Sequence, residues 1–230
     1  MKTSTLHVPP VMALLLAAIL SGCSGEREPL PPASDFWFPV TAGGDILGPD
    51  ATGDHHCVLD ERTGLMWEVK RPEHGLHRAS ATWSWYQPDP SKNMSDAGMA
   101  GGGNCDIESC DTHAWVEAVN QAGLCAHHDW VVPTREQLLT LGDRRLADTG
   151  LIMDRDFFPH DPIGEYWSAS TFRLYPQSAW VVDNRHGLDR AELKTEPRHA
   201  RLVRVHQIPE PAVAKGIRKA HHRGTEVTED

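Results

Sequence analysis

The chain has 230 residues, 22 of them basic and 32 acidic, for a formal net charge of −10 at pH 7. A negative balance without concentrated Lys and Arg argues against DNA, RNA or an anionic lipid surface as the main partner, because phosphate binding needs clustered basic side chains. Residues 54–206 have globular composition and are numerous enough to build one well-buried core.

The N-terminus opens with Met1 and Lys2, runs through the apolar stretch 11–20 and reads Leu20-Ser21-Gly22-Cys23. This is a secretory signal over residues 1–22 ending in a lipobox, so cleavage before Cys23 and acylation of its sulfur are expected. The apolar stretch is shorter than the roughly 20 residues of a spanning helix, and no later stretch comes closer. Attachment is therefore expected through acyl chains, each buried methylene contributing about 0.8 kcal/mol. Ser24 stands where an inner-membrane retention signal usually carries Asp, which points to the outer membrane, with the domain facing either the periplasm or the outside. Removing residues 1–22 takes away Lys2 and no acid, leaving 21 of the 22 basic residues against all 32 acidic ones.

Residues 23–53 hold the lipidated cysteine and then Pro29, Pro31, Pro32 and Pro39, and read as an extended tether. Within it, the Phe36-Trp37-Phe38 cluster is expected to fold back onto the domain. Cys57–Asp60 and Leu65–Val69 flank a turn with Gly64 placed for a positive φ, which predicts a β-hairpin. Residues 71–104 carry Pro72, Pro88, Pro90 and a Gly-rich run from 98 to 103, and read as a long loop region.

From Asp111 the pattern becomes helical. Ala114, Trp115, Ala118, Val119 and Ala122 share one face, Asp111 or Thr112 can cap the start and Gly123 the end. Residues 129–132 read as a short strand. Thr134 and Gln137 then form a capping box opening a second helix, with Leu138, Leu139 and Leu141 on its buried side. Strands are expected at 165–170, 178–183, 188–193 and 201–206, and residues 207–230 read as a disordered tail. Two helices followed by a run of strands define an α+β domain with a mainly antiparallel sheet and long loops.

Besides Cys23 there are Cys57, Cys105, Cys110 and Cys125. An even set in an oxidising compartment reads as two disulfides, and the spacings lack the paired short intervals of a zinc site. Three connectivities are possible. A local clip between Cys105 and Cys110 with a long-range staple between Cys57 and Cys125 is the most economical.

Several segments together resemble one family. They are Cys57-Val-Leu-Asp-Glu-Arg-Thr-Gly-Leu-Met-Trp67, Asp111-Thr-His-Ala-Trp-Val-Glu-Ala-Val-Asn120, Gly123-Leu-Cys125, Asp129-Trp-Val-Val-Pro-Thr-Arg-Glu-Gln-Leu138, Tyr166-Trp-Ser-Ala-Ser170 and Ala179-Trp-Val-Val182. In this order they resemble the Lcl C-terminal domain family over roughly residues 54–206. The resemblance implies an exported bacterial domain related to the C-type lectin fold, used for binding at the cell surface, with glycan-type ligands among those known, and implies no catalytic activity. Val131 departs from the family pattern, which usually carries Arg there, and this removes a charged contact.

The family's motif residues are mostly scaffold, so ligand contacts are expected in the loops. One candidate surface is Trp83, Trp85 and Tyr86, which could pin the loop region or stack a sugar ring. A second is Arg173 and Tyr175 with the turn residues Asn184, Arg185 and His186. Trp67, Trp115, Trp130, Trp167 and Trp180 are expected in the core.

The tripeptide Gln87-Pro88-Asp89 matches a sugar-specificity motif of calcium-dependent lectins but stands before the first long helix and lacks the partner element, so neither calcium nor another cofactor is implied. The His pairs 55–56, 127–128 and 221–222 point side chains to opposite faces if extended and are not chelates by themselves. No nucleophile elbow or spare thiol is present, and Asp154 and Asp156 read as a solvated turn, so no catalytic residue is assigned. The function expected is a lipid-anchored envelope module binding a glycan or an envelope protein. The alternatives are a structural or assembly lipoprotein and, further off, an enzyme acting on envelope polymers.

Overall fold

The computed structural model describes residues 36–51, 53–143 and 152–206. The chain divides into two units, Met1–Pro32 and Ala33–Asp230, and every described residue belongs to the second. The lipobox, Cys23, the first part of the tether and the tail from 207 lie outside the described residues.

Two antiparallel sheets carry the fold. Strands β1 (Trp37–Val40), β2 (Cys57–Asp60), β3 (Leu65–Glu68) and β7 (Val203–Val205) pair in the order β1-β2-β3-β7. Strands β4 (Glu165–Thr171), β5 (Ser178–Asp183) and β6 (Asp189–Leu193) form a meander. Helices α1 (Pro90–Asn93), α2 (Thr112–Ala122) and α3 (Arg135–Leu139) lie in the chain between β3 and β4. The α+β class expected from the sequence is the class found. No helix among the described residues is long and apolar enough to cross a membrane.

Local chemistry explains where the elements begin and end. The β2–β3 turn closes at Gly64, whose φ of 66° an L side chain would resist and whose N–H donates to the Asp60 carbonyl at 2.8 Å. Asp111 caps α2 by accepting from the His113 and Ala114 amides, and Gly123 at φ 80° ends it. The capping box is present at α3, with Thr134 and Gln137 each satisfying the other's backbone amide.

The first sheet is buried on both faces. Cys57, Leu59 and Met66 pack into a core with Trp115 and Val119 of α2, whereas Val58, Leu65 and Trp67 pack with Leu138 of α3 and with Phe157 and Phe158. That double burial is why β2 and β3 read as nearly continuous apolar runs. The second sheet is shared in the same way, Ala179 and Val181 on one core and Tyr166 and Val182 on the other.

Both disulfides form in the economical pattern. Cys57–Cys125 joins β2 to the segment after α2, across a sequence separation of 68, and Cys105–Cys110 clips a loop with a separation of 5. Such bonds fit an oxidising, extracytoplasmic setting.

Three expectations need correction. The tether does not extend to residue 53: Trp37–Val40 pairs residue by residue with β2, so these residues belong to the folded body. Residues 129–132 make a single bridge, Val131 with Val203, rather than a strand, because Asn120 of α2 takes up the neighbouring backbone groups of Trp130. Trp180 is only half-buried, on the same face of β5 as Val182, where the Arg135 guanidinium lies 4.6 Å from its ring centre. Both ends of the described body meet at one place: the Phe36 carbonyl accepts from the Glu61 amide and the His206 amide donates to the Gly64 carbonyl, at opposite ends of the same turn.

At the other end of β3 lies a buried charge cluster. The Glu68 carboxylate, fully shielded, accepts from Lys70 Nζ at 3.1 Å, from the Leu202 amide at 3.0 Å and faces His77 Nδ1 at 2.7 Å. Burial alone would raise its pKa, but Lys70 and His77 hold it below the usual carboxylate range. Replacing Glu68 by Gln leaves a buried ammonium without its counter-charge, and urea unfolding is expected to show a loss of about 3–5 kcal/mol. Removing Cys57–Cys125 by a double Ala substitution is expected to cost about 4 kcal/mol, against about 2 kcal/mol for Cys105–Cys110, since the closed loops differ in length; paired denaturation curves would read the difference.

Candidate functional site

The segment 82–89 is held from two sides. The Thr112 hydroxyl donates to the Tyr86 carbonyl and accepts from the Tyr86 amide, both at 3.0 Å, so the start of α2 fixes this residue. On the other side lies the Gly-rich loop. A Cβ at Gly98 would run into the Trp85 carbonyl and one at Gly103 into that of Thr82, so only glycine permits the approach. Asp111 ties the loop to the helix by accepting from the Gly101 amide at 3.0 Å and the Ser109 hydroxyl at 2.6 Å.

Beside this clamp runs an open groove of about 450 Å³. Val116 of α2, Val131, Val132 and Ala169 supply apolar lining, Tyr86 and His113 stand together with ring centres 6.1 Å apart, and Gln87, Asp89 and Lys92 also line it. Its charged and imidazole side chains have near neighbours. Lys92 lies 3.3 Å from Asp89, and His113 lies 3.5 Å from Glu117 one turn along α2.

The Gln87-Pro88-Asp89 tripeptide is used within its own loop. Gln87 Oε1 accepts from the Asp89 amide, and Asp89 Oδ1 accepts from the amide and hydroxyl of Ser91, capping α1. The Ser91 hydroxyl, followed by that residue's amide, holds the Asp89 carboxyl below the usual range. Among the described residues no cluster of three or more His, Cys, Asp or Glu is arranged to hold a metal ion.

Of the first sequence-predicted surface, only Tyr86 presents its side chain to solvent. Trp83 is 1% exposed and stacks on Trp115 with ring centres 4.8 Å apart; Trp85 is 2% exposed and donates from Nε1 to the Ser168 carbonyl at 2.8 Å. Their amphipathic rings are needed in the core, so the loop-pinning role is theirs, and Trp85 reaches the groove with one edge only.

The second surface is divided. Arg173 and Tyr175 are exposed in the β4–β5 turn, while Arg185 and His186 are exposed in the β5–β6 turn at the opposite end of β5. Asn184 is buried and structural, accepting from the Gly164 amide at 2.9 Å and donating to the Pro162 carbonyl at 2.7 Å. The pair at 221–222 lies outside the described residues, and in each of the other two pairs one ring is held by a backbone carbonyl. His55 Nε2 lies 2.8 Å from the Phe157 carbonyl and His128 Nδ1 2.6 Å from that of Asn120.

Sequence reasoning missed His113, Val116, Val132 and Ala169 as groove residues. A usable signal was present: Val116 is an apolar residue off the apolar stripe of α2, and Val131 stands where the family pattern carries a charge; in the structure it is 50% exposed.

Taken together, these features define a disulfide-bonded α+β domain whose loops, held by a glycine-rich clamp, build an open groove. The sequence profile of the Lcl C-terminal domain matches residues 56–204, well over half of the chain, and the chain belongs to that family. Membership makes it a binding-type module of the extracellular or envelope class. Comparison with curated proteins gives no match.

Behind Trp85 lies Lys194, 1% exposed, its ammonium 3.9 Å from the ring centre and donating to the Asn93 and Asp96 carbonyls. Burial pushes its pKa down to about 8, as it does for Lys70. Both values lie below that of the unfolded chain, near 10.5, so between pH 8 and 10.5 the unfolded state binds more protons. Stability is therefore expected to rise with pH across that window. Thermal melts at stepped pH would show the rise, and Lys194→Met should flatten it.

Proposed function

We propose that the chain is a bacterial envelope binding module, held to a membrane by acyl chains on Cys23, that takes a glycan in the groove beside Tyr86. The observation that carries this reading is the groove itself: an open cleft of about 450 Å³ with apolar lining and an aromatic side, built by loops that a rigid helix and a glycine clamp hold in place. A sugar ring presents an apolar face that stacks on a phenol, and its hydroxyls reach the polar rim at Gln87. Calcium has no part in the proposal, since the Gln87 and Asp89 oxygens already serve their own loop. The reading is one of binding rather than catalysis; Cys105 and Cys110, beside the groove, are joined in a disulfide and offer no thiol nucleophile.

A second reading, a structural or assembly lipoprotein with an envelope protein as partner, draws on a different surface. Leu174 and Tyr175 at the β4–β5 turn are 76% and 59% exposed, and Leu193 on β6 is 49% exposed. Exposed large apolar groups gathered near one strand end suit a protein interface.

Probing the chain on a glycan array with and without calcium separates the two readings. The expected outcome is binding that is unchanged by chelator and lost at least tenfold in Tyr86→Ala, with near-ultraviolet circular dichroism unaltered. Binding insensitive to Tyr86→Ala, or no glycan bound at all, would move the site to the β4–β5 turn and the partner to a protein.

A further inference from the structure

A strand at the edge of a sheet offers a row of unpaired backbone groups that another strand can take up. Most edges of this domain are already occupied. The β7 edge exchanges both backbone bonds of Val203 with Val131, and the β4 edge pairs with His199 and, through the Ala169 amide, with Pro133. The β1 edge holds Pro39, which has no amide to offer and whose carbonyl accepts from the Leu47 amide. The edge that remains is β6, which among the described residues pairs with β5 and with no other strand.

The register of β5 on β6 fixes which backbone groups face outward. The Asp183 amide donates to the Leu188 carbonyl and the Lys194 amide to the Gln177 carbonyl, so bonded pairs alternate between them, and Arg190 and Glu192 spend their groups on β5. Asp189, Ala191 and Leu193 turn theirs away from the sheet. Among the described residues, the Leu193 carbonyl is the one of these groups with a partner beyond the sheet, the Glu196 amide at 3.0 Å. The side chains alternate in the same way. Arg190 and Glu192 share one face, 2.7 Å apart, in a network with Glu165 and Arg198; Ala191 and Leu193 lie on the other face, with Ala191 opposite Trp180.

Such an edge is complementary to itself. With two copies antiparallel about a two-fold axis through Ala191, each Ala191 exchanges both bonds with its counterpart, each Leu193 amide donates to the Asp189 carbonyl of the other copy, and each Arg190 stands directly opposite a Glu192. The smallest slide that keeps the outward groups facing sets Arg190 against Arg190 in one direction and Glu192 against Glu192 in the other, and like charges directly opposite are destabilising. Charges on an edge strand commonly keep a second chain away; here their order admits one register and opposes its neighbours.

We propose that β6 is a homodimer interface, on which a second copy of this chain adds antiparallel about Ala191 and joins the two meanders into one continuous sheet. No residue of β6 lines the groove, so the dimer is independent of what the groove binds.

Sedimentation velocity of the full chain in density-matched detergent reads the assembly. A dimer is expected. Arg190→Glu sets acid against acid across the axis and should weaken it at least tenfold, and Glu192→Arg should do the same with bases. Mixed together, the two variants should recover a dimer containing one copy of each, because an acidic edge then meets a basic one. On mild oxidation Ala191→Cys should link two copies, since the Cα atoms of a bonded antiparallel pair lie about 5.5 Å apart, within reach of a disulfide. Leu188→Cys is the control: its position is exposed, but the two copies of it stand roughly 20 Å apart along the strands.

A chain that sediments as a monomer throughout, or a dimer that neither charge reversal weakens, would overturn the proposal. So would mixed variants that stay apart while near-ultraviolet circular dichroism shows both folded. Where a charge reversal unfolds the chain, the cross-link decides: no link through Ala191→Cys, or an equal one through Leu188→Cys, would overturn the interface as well.

Discussion

The fold depends most on the Glu68 carboxylate, a full charge held without water between two layers. One oxygen is shared by Lys70 and His77; the other receives the Leu202 amide, while the Glu68 amide itself donates to the Leu202 carbonyl at 3.0 Å. The end of β3, the loop that follows it and the distant approach to β7 thereby converge on one side chain. A carboxylate buried this deeply is tolerated only with its partners in place, so the loop after β3 cannot wander without exposing a cost of several kcal/mol. The Lys70 ammonium also faces the Trp115 ring at 4.3 Å, which couples this electrostatic knot to α2 and through it to the wall of the groove.

Much of the architecture was legible because it is written in local chemistry. Gly64, Asp111, Gly123 and the Thr134–Gln137 pair each solve a problem set by their immediate neighbours, and the hairpin and both longer helices fall where those residues put them. The disulfide pairing followed from chain economy. What escaped was tertiary. Nothing local distinguishes Trp83 and Trp85, set among prolines and glycines, from exposed loop aromatics; they are core residues because the glycine-rich run lets a second backbone lie directly over theirs. Trp180 erred the other way, since its strand pattern matches that of its buried neighbours and only the tertiary placing of Arg135 at the start of α3 and of Phe172 decides how far it is covered.

The site was legible in part for the same reason. Tyr86 was identifiable as an aromatic in a loop, but its companions come from α2, from the segment after Trp130 and from β4, and only the folded chain brings them together. Asn120 is the clearest case. In sequence it is one polar residue near the end of a helix; in the structure it takes the place of a strand, ending the run at 130 that residue composition favoured. The missed strand and the groove are thus one fact seen twice, because the segment whose edge Asn120 seals beside Trp130 goes on to line the groove at Val131 and Val132.

That both ends of the folded body meet at the β2–β3 turn has a mechanical consequence. Strands β1 and β7 are the two edges of the four-stranded sheet, and tension applied between Phe36 and His206 would act across the strands instead of along them. Hydrogen bonds loaded in that direction open one after another, like a zip, and resist far less than a row sheared all at once. A load entering at Phe36 alone and leaving through a ligand in the groove takes another route. It crosses the sheet to β2, where the bond from Cys57 to Cys125 hands it to the segment following α2. Beyond β2, that route runs through a covalent bond where the route between the two ends of the folded body has hydrogen bonds alone.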